Sequence, residues 1–378
     1  MKNILFVTND FGPRAGGIES FIMGLVERLP KNSVTVYTSS QGDTSAYDAK
    51  WKADGVQVIR DRTKMLLPTP RVARAIRSVV KANHPSVACF GAAAPLGLLA
   101  PTLRKAGVNR IVSLTHGHEV WWAKVFPFSL AMKRIGDSVD ALTYLGDFTK
   151  QSISRSLSPK AQKAMVHLAP GIDTSHFVPL NAPSVLRDEL GLTHKSVIVS
   201  VGRLVPRKGQ DRLIEALPLI RKSISNIHLL LVGEGSYKKS LEKMVVERDL
   251  GGIVTFVGRV HYAKLPSYFQ CGDIFAMPSR SRFAGLEVEG LGIVYLEAGA
   301  CGLPVIAGNS GGVPDAVVDG VTGIVVDGKN VKEIAAAIIR VLGDRAKAKS
   351  MGEKGNEWVR SGWSWEIWSG KFAQLLQV

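Results

Sequence analysis

Two glutamates stand eight positions apart around a glycine pair: Glu289 and Glu297, with Gly290 and Gly292. If a helix begins at these glycines, its first N–H groups are free to bind hydroxyl or phosphate oxygens. Glu297 then lies two turns along, at most roughly 12 Å from Glu289. Carboxylates accept hydrogen bonds from vicinal hydroxyls, so the spacing suits the two ends of one elongated, hydroxyl-rich ligand. The alternative is a pair of solvated helix glutamates, but the stretch "GIVYLEAGACGLPVIA" is too apolar for a surface helix.

A cationic pair follows an apolar, strand-like run in the stretch "VGRLVPRKGQD". Arg203 comes directly after the run, and Lys208 follows five residues later beside Gly209. Cations at this position can hold a diphosphate and stabilise the negative charge that grows when a sugar–phosphate bond breaks. The alternative is an exposed basic loop, which is the usual setting of lysine and arginine.

A glycine-containing loop, "NDFGPRAGGIES", precedes the first predicted helix. Gly16 and Gly17 would let backbone N–H groups approach a phosphate or sugar closely, although a tight connection explains them equally well. The spacing is not GxGxxG, and no GxxxxGK[ST] occurs in the sequence. These absences argue against a dinucleotide oxidoreductase and a P-loop enzyme.

The same pattern, an apolar run followed by a loop and a helical segment, occurs twice in the chain. It predicts the strands and helices that carry these loops. The apolar runs "NILFVT" (3–8) and "SVIVSVG" (196–202) are each followed by a loop and a helical pattern. Further strand-like runs alternate with helices, which predicts two doubly wound α/β domains whose ligands bind beyond the carboxyl ends of the strands. We predict an N-terminal domain over 1–180, a second domain over 181–360 and a tail over 361–378 that crosses back to the first domain.

Composition and charge narrow the compartment and the partners. The three cysteines are widely spaced, no apolar run is long enough to span a bilayer, and the apolar part of the first ten residues is short for a signal peptide. We therefore expect a cytoplasmic protein with reduced thiols. The net charge is +16, and residues 1–180 hold 23 Lys and Arg against 12 Asp and Glu. This excess predicts an anionic partner: nucleic acid, phospholipid headgroups or phosphorylated small molecules.

Taken together, these motifs resemble the family-4 retaining glycosyltransferases of the GT-B fold, in which two Rossmann-like domains face each other across a cleft. The resemblance rests on Glu289 and Glu297 with seven residues between them, and on "VGRLVPRKG", "LLLVGEG", "TFVGRV" and the N-terminal "GGIE". The stretches "THGHEVWWA" and "EGLGIVYLEA" are most similar to GDP-mannose-dependent α-mannosyltransferases that modify phosphatidylinositol mannosides.

The resemblance implies a role for each candidate residue. Arg203 and Lys208 would bind the diphosphate, Glu297 the ribose and Glu289 the donor hexose; Glu287 lies nearby, but only Glu289 is in register with Glu297. The remaining implied contacts are backbone N–H groups at Gly290, Leu291 and Gly292, the phosphate loop at Gly16 and Gly17, the base near Val260 and the sugar at His118. The expected reaction is front-side transfer with retention, with Arg203, Lys208, His118 and Glu289 as the catalytic set.

We expect neither a metal nor a further cofactor. His116 and His118 could share one face of a strand as metal ligands, but further ligands are not apparent nearby, and the sequence has no Asp-x-Asp. We favour sugar binding by His118 and a packing role for His116.

A lipid acceptor at an anionic membrane would explain the basic first half. Read as a helix, "TPRVARAIRSVVKANHP" places its cations on one side: Arg71, Arg74, Arg77 and Lys81. The segment 120–136 mixes Trp121 and Trp122 with lysines, as membrane-surface segments do. We therefore predict peripheral binding at the inner face of the cell membrane, against the alternative of an ordinary surface helix.

Three other functions remain open at this stage. A family-4 enzyme using a UDP-sugar and another acceptor shares every motif above, because the base and the hexose are not fixed by the sequence. A UDP-N-acetylglucosamine 2-epimerase has the same fold but needs no acceptor. A nucleic-acid binder fits the charge, but no recognisable binding motif is present, so we expect no nucleic-acid partner.

Overall fold

The computed structural model describes residues 3–14, 16–180 and 184–377. The chain divides into two compact units, one formed by Met1–Gly171 with Trp365–Val378 and the other by Ile172–Ser364. Each unit is a parallel sheet with helices between successive strands. The two doubly wound α/β domains predicted from the sequence are thereby confirmed.

The first unit has a seven-stranded sheet in the order β3-β2-β1-β4-β5-β6-β7. Its strands are β1 Ile4–Thr8, β2 Val34–Thr38, β3 Val56–Arg60, β4 Val87–Phe90, β5 Arg110–Ser113, β6 Ala141–Tyr144 and β7 Met165–His167. Its helices are α1 Gly17–Val26, α2 Ser45–Ala53, α3 Pro70–Asn83, α4 Ala100–Lys105, α5 Glu119–Lys124, α6 Phe128–Ser138, α7 Asp147–Ser154 and α8 Pro159–Lys163. A 3₁₀ turn, Leu96–Leu99, leads into α4.

The second unit has a six-stranded sheet in the order β10-β9-β8-β11-β12-β13. Its strands are β8 Ser196–Val201, β9 Ile227–Val232, β10 Val254–Gly258, β11 Ile274–Met277, β12 Val305–Gly308 and β13 Gly323–Val326. Its helices are α9 Val185–Glu189, α10 Gln210–Ser223, α11 Lys238–Glu247, α12 Leu265–Phe269, α13 Ile293–Ala300, α14 Val313–Ala316, α15 Val331–Leu342 and α16 Arg345–Gly362. Single 3₁₀ turns occur at Pro206–Lys208, Tyr262–Lys264 and Phe283–Gly285.

The last helix, α17 (Trp365–Leu376), packs on the first unit. Its Trp365 ring lies so close to α1 that a Cβ added at Gly24 would be 2.3 Å from Cζ2 of that ring. Arg110 at the start of β5 donates a hydrogen bond from Nε to the carbonyl of Leu375, at 2.6 Å. The chain thus returns to its first sheet after completing the second.

Strand order places the candidate loops where the order of the strands reverses, once in each sheet. In the first unit the order turns between β1 and β4, and the loop after β1 leads to Gly16 and Gly17. In the second it turns between β8 and β11, and the loops after these strands carry Lys208 and Glu289. Parallel sheets bind ligands at such positions because the loops diverge there and leave a crevice.

The central strands form because their residues are apolar on both faces. Every residue of β1 is buried, as expected for a strand covered by helices on both sides of the sheet. Among the described residues, no helix is long and apolar enough to cross a membrane.

Candidate active site

The turn after β8 directs Lys208 inward. The 3₁₀ turn Pro206–Lys208 ends at Gly209, whose φ of 79° is left-handed. A Cβ at Gly209 would lie 2.0 Å from the Pro278 carbonyl oxygen, so the loop after β8 can approach the loop after β11 only with glycine here. Lys208 is buried, whereas Arg203, in the loop between β8 and this turn, is exposed.

Glu289 receives two cations on one carboxylate oxygen. Its Oε2 lies 2.5 Å from Nη1 of Arg207 and 2.9 Å from Nζ of Lys208. All three side chains are largely buried, so solvent screens these ion pairs weakly. The nearby Glu287 instead pairs with Arg282 at 3.0 Å and stands 3.7 Å from Arg207. Of the two glutamates, it is Glu289 that contacts Lys208.

The ionisation of this cluster follows from burial and mutual attraction. Burial alone would raise the pKa of Glu289, but Lys208 and Arg207 outweigh it and hold that pKa below its usual value. Burial lowers the pKa of Lys208, and the charges of Arg207 and Arg203 act in the same direction against Glu289. Buried opposite charges of this kind leave an uncompensated charge when one partner is removed.

The glycines after Glu289 start helix α13. Gly292 takes the left-handed conformation, with φ of 81°, and the helix begins at Ile293. Gly311 and Gly312 pack against this turn, and Gly312 N donates to the Glu289 carbonyl at 2.9 Å. A Cβ at Gly312 would lie 2.1 Å from the Gly290 carbonyl oxygen. The two loops are therefore in direct backbone contact, and Leu291, between Gly290 and Gly292, is buried.

Glu297 is buried in α13 with 8% of its surface exposed. Within residues 3–14, 16–180 and 184–377, no side-chain or backbone group donates a hydrogen bond to its carboxylate. Burial raises its pKa to about 7, and the positive charge of Lys208 only partly opposes that rise. Two residues before it, the Tyr295 hydroxyl donates to the Met277 carbonyl at 2.7 Å. A largely buried carboxylate without protein donors can accept hydrogen bonds from the hydroxyls of a ligand or from water.

Val260 is half-buried and follows β10, the outermost strand of this sheet. The sheet order puts it two strands away from β8.

In the first unit, the loop after β1 brings an acidic cluster to the start of α1. Gly16 is the N-cap of α1 and Gly17 its first residue. Arg14 bridges two carboxylates, with Nε 2.6 Å from Glu19 and Nη2 3.2 Å from Asp10. Burial, followed by the charge of Glu19, raises the pKa of Asp10. The side chain of Glu19 is folded back against Gly16.

The two histidines of "THGHE" have different surroundings. His116 bonds through Nε2 to the Gly91 carbonyl and packs edge-on against Phe21 with centroids 5.6 Å apart. Burial lowers its pKa, in keeping with a packing role. His118 is 40% exposed, and its Nε2 lies 3.2 Å from Oε1 of the fully buried Glu119. No group of residues suited to hold a metal ion occurs in the described part of the chain.

The residues predicted to face a membrane are only partly free to do so. Arg71 is held by two hydrogen bonds of 2.9 Å to Asp61, while Arg74, Arg77 and Lys81 are exposed. Trp121 and Trp122 are half-buried because both pack against Phe128, the first tilted and the second edge-on, with centroids 4.6 and 4.9 Å away. In this segment Phe126 is the most exposed large apolar residue.

Sequence reasoning missed two features of these sites. The sequence does not single out Arg207, because this residue precedes Lys208 in a basic stretch. Only the 3₁₀ turn brings it to Glu289, 82 positions along the chain. The cluster of Asp10, Glu19 and Glu119 was also missed. Its only signal was the placement of acidic residues beside the "GGIE" and "THGHE" stretches.

Comparison with known proteins places the chain in a family. Residues 15–176 match the model for Glycosyltransferase Family 4, and residues 185–358 match that for Glycosyl transferases group 1. A GDP-mannose-dependent alpha-(1-6)-phosphatidylinositol monomannoside mannosyltransferase of Mycolicibacterium smegmatis is 42% identical over 99% of this chain and 98% of its own length. A GDP-mannose-dependent monoacylated alpha-(1-6)-phosphatidylinositol monomannoside mannosyltransferase of Corynebacterium glutamicum is 39% identical over 100% of this chain and 98% of its own length.

Solved structures agree with the fold. Anabaena HepE in complex with UDP matches with a TM-score of 0.82 at 20% identity over 99% of both chains. Sucrose-phosphate synthase of Thermosynechococcus elongatus matches with a TM-score of 0.80 at 23% identity over 100% of this chain and 98% of its own. Together with the two matched family models and the full-length relatives, this establishes that the chain belongs to the family-4 glycosyltransferases of the GT-B fold.

Proposed function

We propose that this glycosyltransferase moves a mannosyl residue from GDP-mannose to a phosphatidylinositol mannoside lipid and forms an α-glycosidic bond. The observation that carries the proposal is the 42% identity to relatives with this named activity, over essentially the full length of both chains. Such coverage includes both units and every loop described above, rather than the nucleotide-binding half alone.

In this proposal the cationic turn and the two glutamates bind different parts of the donor. Arg203 and Lys208 bind the diphosphate, the α13 turn at Gly290–Gly292 adds backbone N–H groups, Glu297 accepts the ribose hydroxyls, and Glu289 accepts hydroxyls of the mannose. Two observations support this: Lys208 is buried beside Glu289, and Glu297 has a buried carboxylate whose raised pKa would fall on accepting hydrogen bonds from hydroxyls. We propose that Gly16, Gly17 and His118 also contact the donor and that Val260 contacts the base.

Transfer breaks the bond between the anomeric carbon and the phosphate oxygen and forms one to the acceptor oxygen. The acceptor hydroxyl loses its proton to the leaving phosphate, so atoms and charge balance without a protein nucleophile. Arg203 and Lys208 stabilise the charge on the leaving diphosphate, by about 3 kcal/mol for each well-placed donor. In this scheme the protein's own cations supply the charge that a metal ion supplies elsewhere.

Arg207 allows Lys208 to change partners. Lys208 is paired with Glu289 in the structure, so binding a diphosphate must compete with that contact. Because Arg207 contacts the same oxygen of Glu289, the carboxylate keeps a counter-charge when Lys208 turns to the phosphate. Glu289 then stays ionised and ready to accept a hydrogen bond from the sugar.

The acceptor is a membrane lipid, so the enzyme works as a peripheral protein at the inner face of the cell membrane. The exposed face of α3, with Arg74, Arg77 and Lys81, supports this because juxtaposed cations attract anionic headgroups. Two exposed apolar side chains, those of Met65 and Leu67, lie in the loop just before this helix.

A thermal-shift panel with GDP, UDP and ADP, each with and without its attached sugar, tests the donor. A ligand at about a hundred times its Kd stabilises by about 2.7 kcal/mol, so GDP and GDP-mannose are expected to raise the unfolding temperature measurably. Glu297→Ala serves as the control, since loss of the ribose contact should abolish most of the shift. Stabilisation by UDP and none by GDP would overturn the mannosyl assignment.

A further inference from the structure

The connection between α5 and α6 exposes apolar side chains that the protein core does not require. Phe126, in the turn, is 77% exposed, and Leu130, in the first turn of α6, is 58% exposed. We call this connection, together with the end of α5 and the first half of α6 (residues 124–134), the α5–α6 elbow. Its base is held by aromatic packing, because Trp121 and Trp122 both pack against Phe128.

The elbow combines an apolar tip with cations one turn behind it. Met132 and Ile135 on one face of α6 are completely buried. Leu130, Lys133 and Arg134 follow the i, i+3, i+4 spacing and share the opposite, exposed face. The buried face fixes the helix to the unit, so the direction in which Leu130 and the two cations point is fixed as well.

We infer that the α5–α6 elbow inserts Phe126 and Leu130 into the interface of an anionic bilayer, with Lys133 and Arg134 at the lipid phosphates. The inference rests on the proposed function insofar as that function brings the enzyme to a membrane lipid. An exposed aromatic and an exposed leucine with lysine and arginine beside them have the composition of segments that lie in the headgroup region. Long basic side chains reach phosphates while their stems cover apolar surface.

Charge distinguishes a bilayer from a protein partner. Lysines are depleted at the buried cores of protein interfaces, because burying their charge is costly. At a bilayer the same cations stay at the level of the phosphates and gain from the negative surface potential. The excess of 23 Lys and Arg over 12 Asp and Glu in residues 1–180 acts in the same direction.

Binding of the full-length protein to vesicles tests the elbow. The double variant Phe126→Ser with Leu130→Ser is expected to lose roughly tenfold or more in binding to phosphatidylcholine vesicles containing about 30% phosphatidylinositol, at both low and high salt. Lys133→Ser with Arg134→Ser should weaken binding mainly at low salt, because salt screens headgroup attraction. Val246→Ser is the matched control, since Val246 is 79% exposed in the second unit and should not matter.

A label at the tip measures insertion directly. The three native cysteines are all buried, so Phe126→Cys can be modified selectively with an environment-sensitive fluorophore. Anionic vesicles should shift its emission to the blue and expose it to quenchers placed in the lipid. Emission unchanged by vesicles, or equal vesicle binding by wild type and the serine double variant, would overturn the inference.

Two further readouts distinguish bilayer insertion from self-association and from loss of the fold. If the double variant changes the molar mass in light scattering instead of vesicle binding, the elbow is covered by a second copy of the chain, and the bilayer inference is wrong. The GDP thermal shift should be the same in wild type and double variant, which shows that the fold is intact. If GDP fails to bind while vesicle binding still depends on the elbow, the proposed donor falls and the elbow assignment stands.

Discussion

Replacing Glu297 by glutamine should stabilise the ligand-free protein at high pH and have much less effect at low pH. The wild-type carboxyl has a pKa of about 7 in the folded protein, against a usual value of 4.5. Between these values the unfolded chain has lost the proton while the folded chain retains it, so wild-type stability falls as pH rises through this window. Above the folded pKa both states are ionised, and the loss is complete.

The size of the effect follows from the width of the window. One pKa unit corresponds to about 1.4 kcal/mol, so the burial of this group costs about 1 kcal/mol at pH 5 and about 3 kcal/mol at pH 8. Glutamine has no charge to bury and escapes this cost at both values. For a domain of this size, 1 kcal/mol shifts the unfolding temperature by roughly 2–4 °C. The advantage of Glu297→Gln over wild type should therefore grow by roughly 4–8 °C from pH 5 to pH 8.

The assay is thermal unfolding of both proteins without ligand at the two pH values. The informative quantity is the change with pH in the difference in unfolding temperature between Glu297→Gln and wild type. Any pH-independent effect of the amide on packing cancels in that comparison. Glu353→Gln is the control: its side chain is 66% exposed in α16, and the difference from wild type should not change with pH. A pH-independent difference for Glu297→Gln would refute the view that this carboxyl is held in the protein without donors.

Four further outcomes are expected. Arg207→Met should lower kcat/KM for transfer about 10–100-fold, because Lys208 then stays paired with Glu289 instead of binding the diphosphate. Arg207→Lys should restore part of kcat/KM. Wild-type kinetics in Arg207→Met would contradict the exchange of partners by Lys208. Glu289→Gln should reduce kcat while GDP still binds in a titration, and loss of GDP binding alone would mean that the donor lies reversed. EDTA should leave the rate of transfer unchanged. Activity that is lost in EDTA and restored by magnesium or manganese would contradict metal independence. Replacing Arg74, Arg77 and Lys81 by serine should reduce sedimentation with anionic vesicles at low salt, and equal sedimentation would show that α3 only packs.

The parts of the fold that depend on local pattern were predictable. The buried runs at 3–8 and 196–202 correspond to β1 and β8, because continuous apolar sequence is what a strand covered on both faces requires. The helix predicted around Arg74 is α3, Pro70–Asn83. These elements need only near neighbours in the sequence and one buried face.

Contacts between distant segments were not predictable in the same way. Arg71 belongs to the basic face of α3 by spacing, but Asp61 in the preceding loop accepts hydrogen bonds from both of its terminal guanidinium nitrogens, Nη1 and Nη2. Trp121 and Trp122 read as exposed aromatics, yet the turn before α6 folds Phe128 back on them and leaves Phe126 outside. In each case a turn sets the partner, and the sequence pattern does not specify its geometry.

The candidate site shows the same division. The register of Glu289 and Glu297 and the position of Lys208 after a strand could be read from spacing. The contact of Arg207 with Glu289 could not, because it requires the left-handed turn at Gly209 to bring two loops together. The isolation of the Glu297 carboxylate likewise depends on how α13 packs.

Transfer of labelled mannose tests the central claim most directly. The full-length protein is incubated with GDP-mannose, labelled in the sugar, and vesicles containing phosphatidylinositol monomannoside, and the lipid fraction is analysed by mass and by NMR of the anomeric carbon. The account predicts a lipid heavier by one hexose, joined by an α linkage, and a matching amount of GDP. A labelled lipid formed from a UDP-sugar but not from GDP-mannose, or a 2-epimer formed without any acceptor, would contradict it.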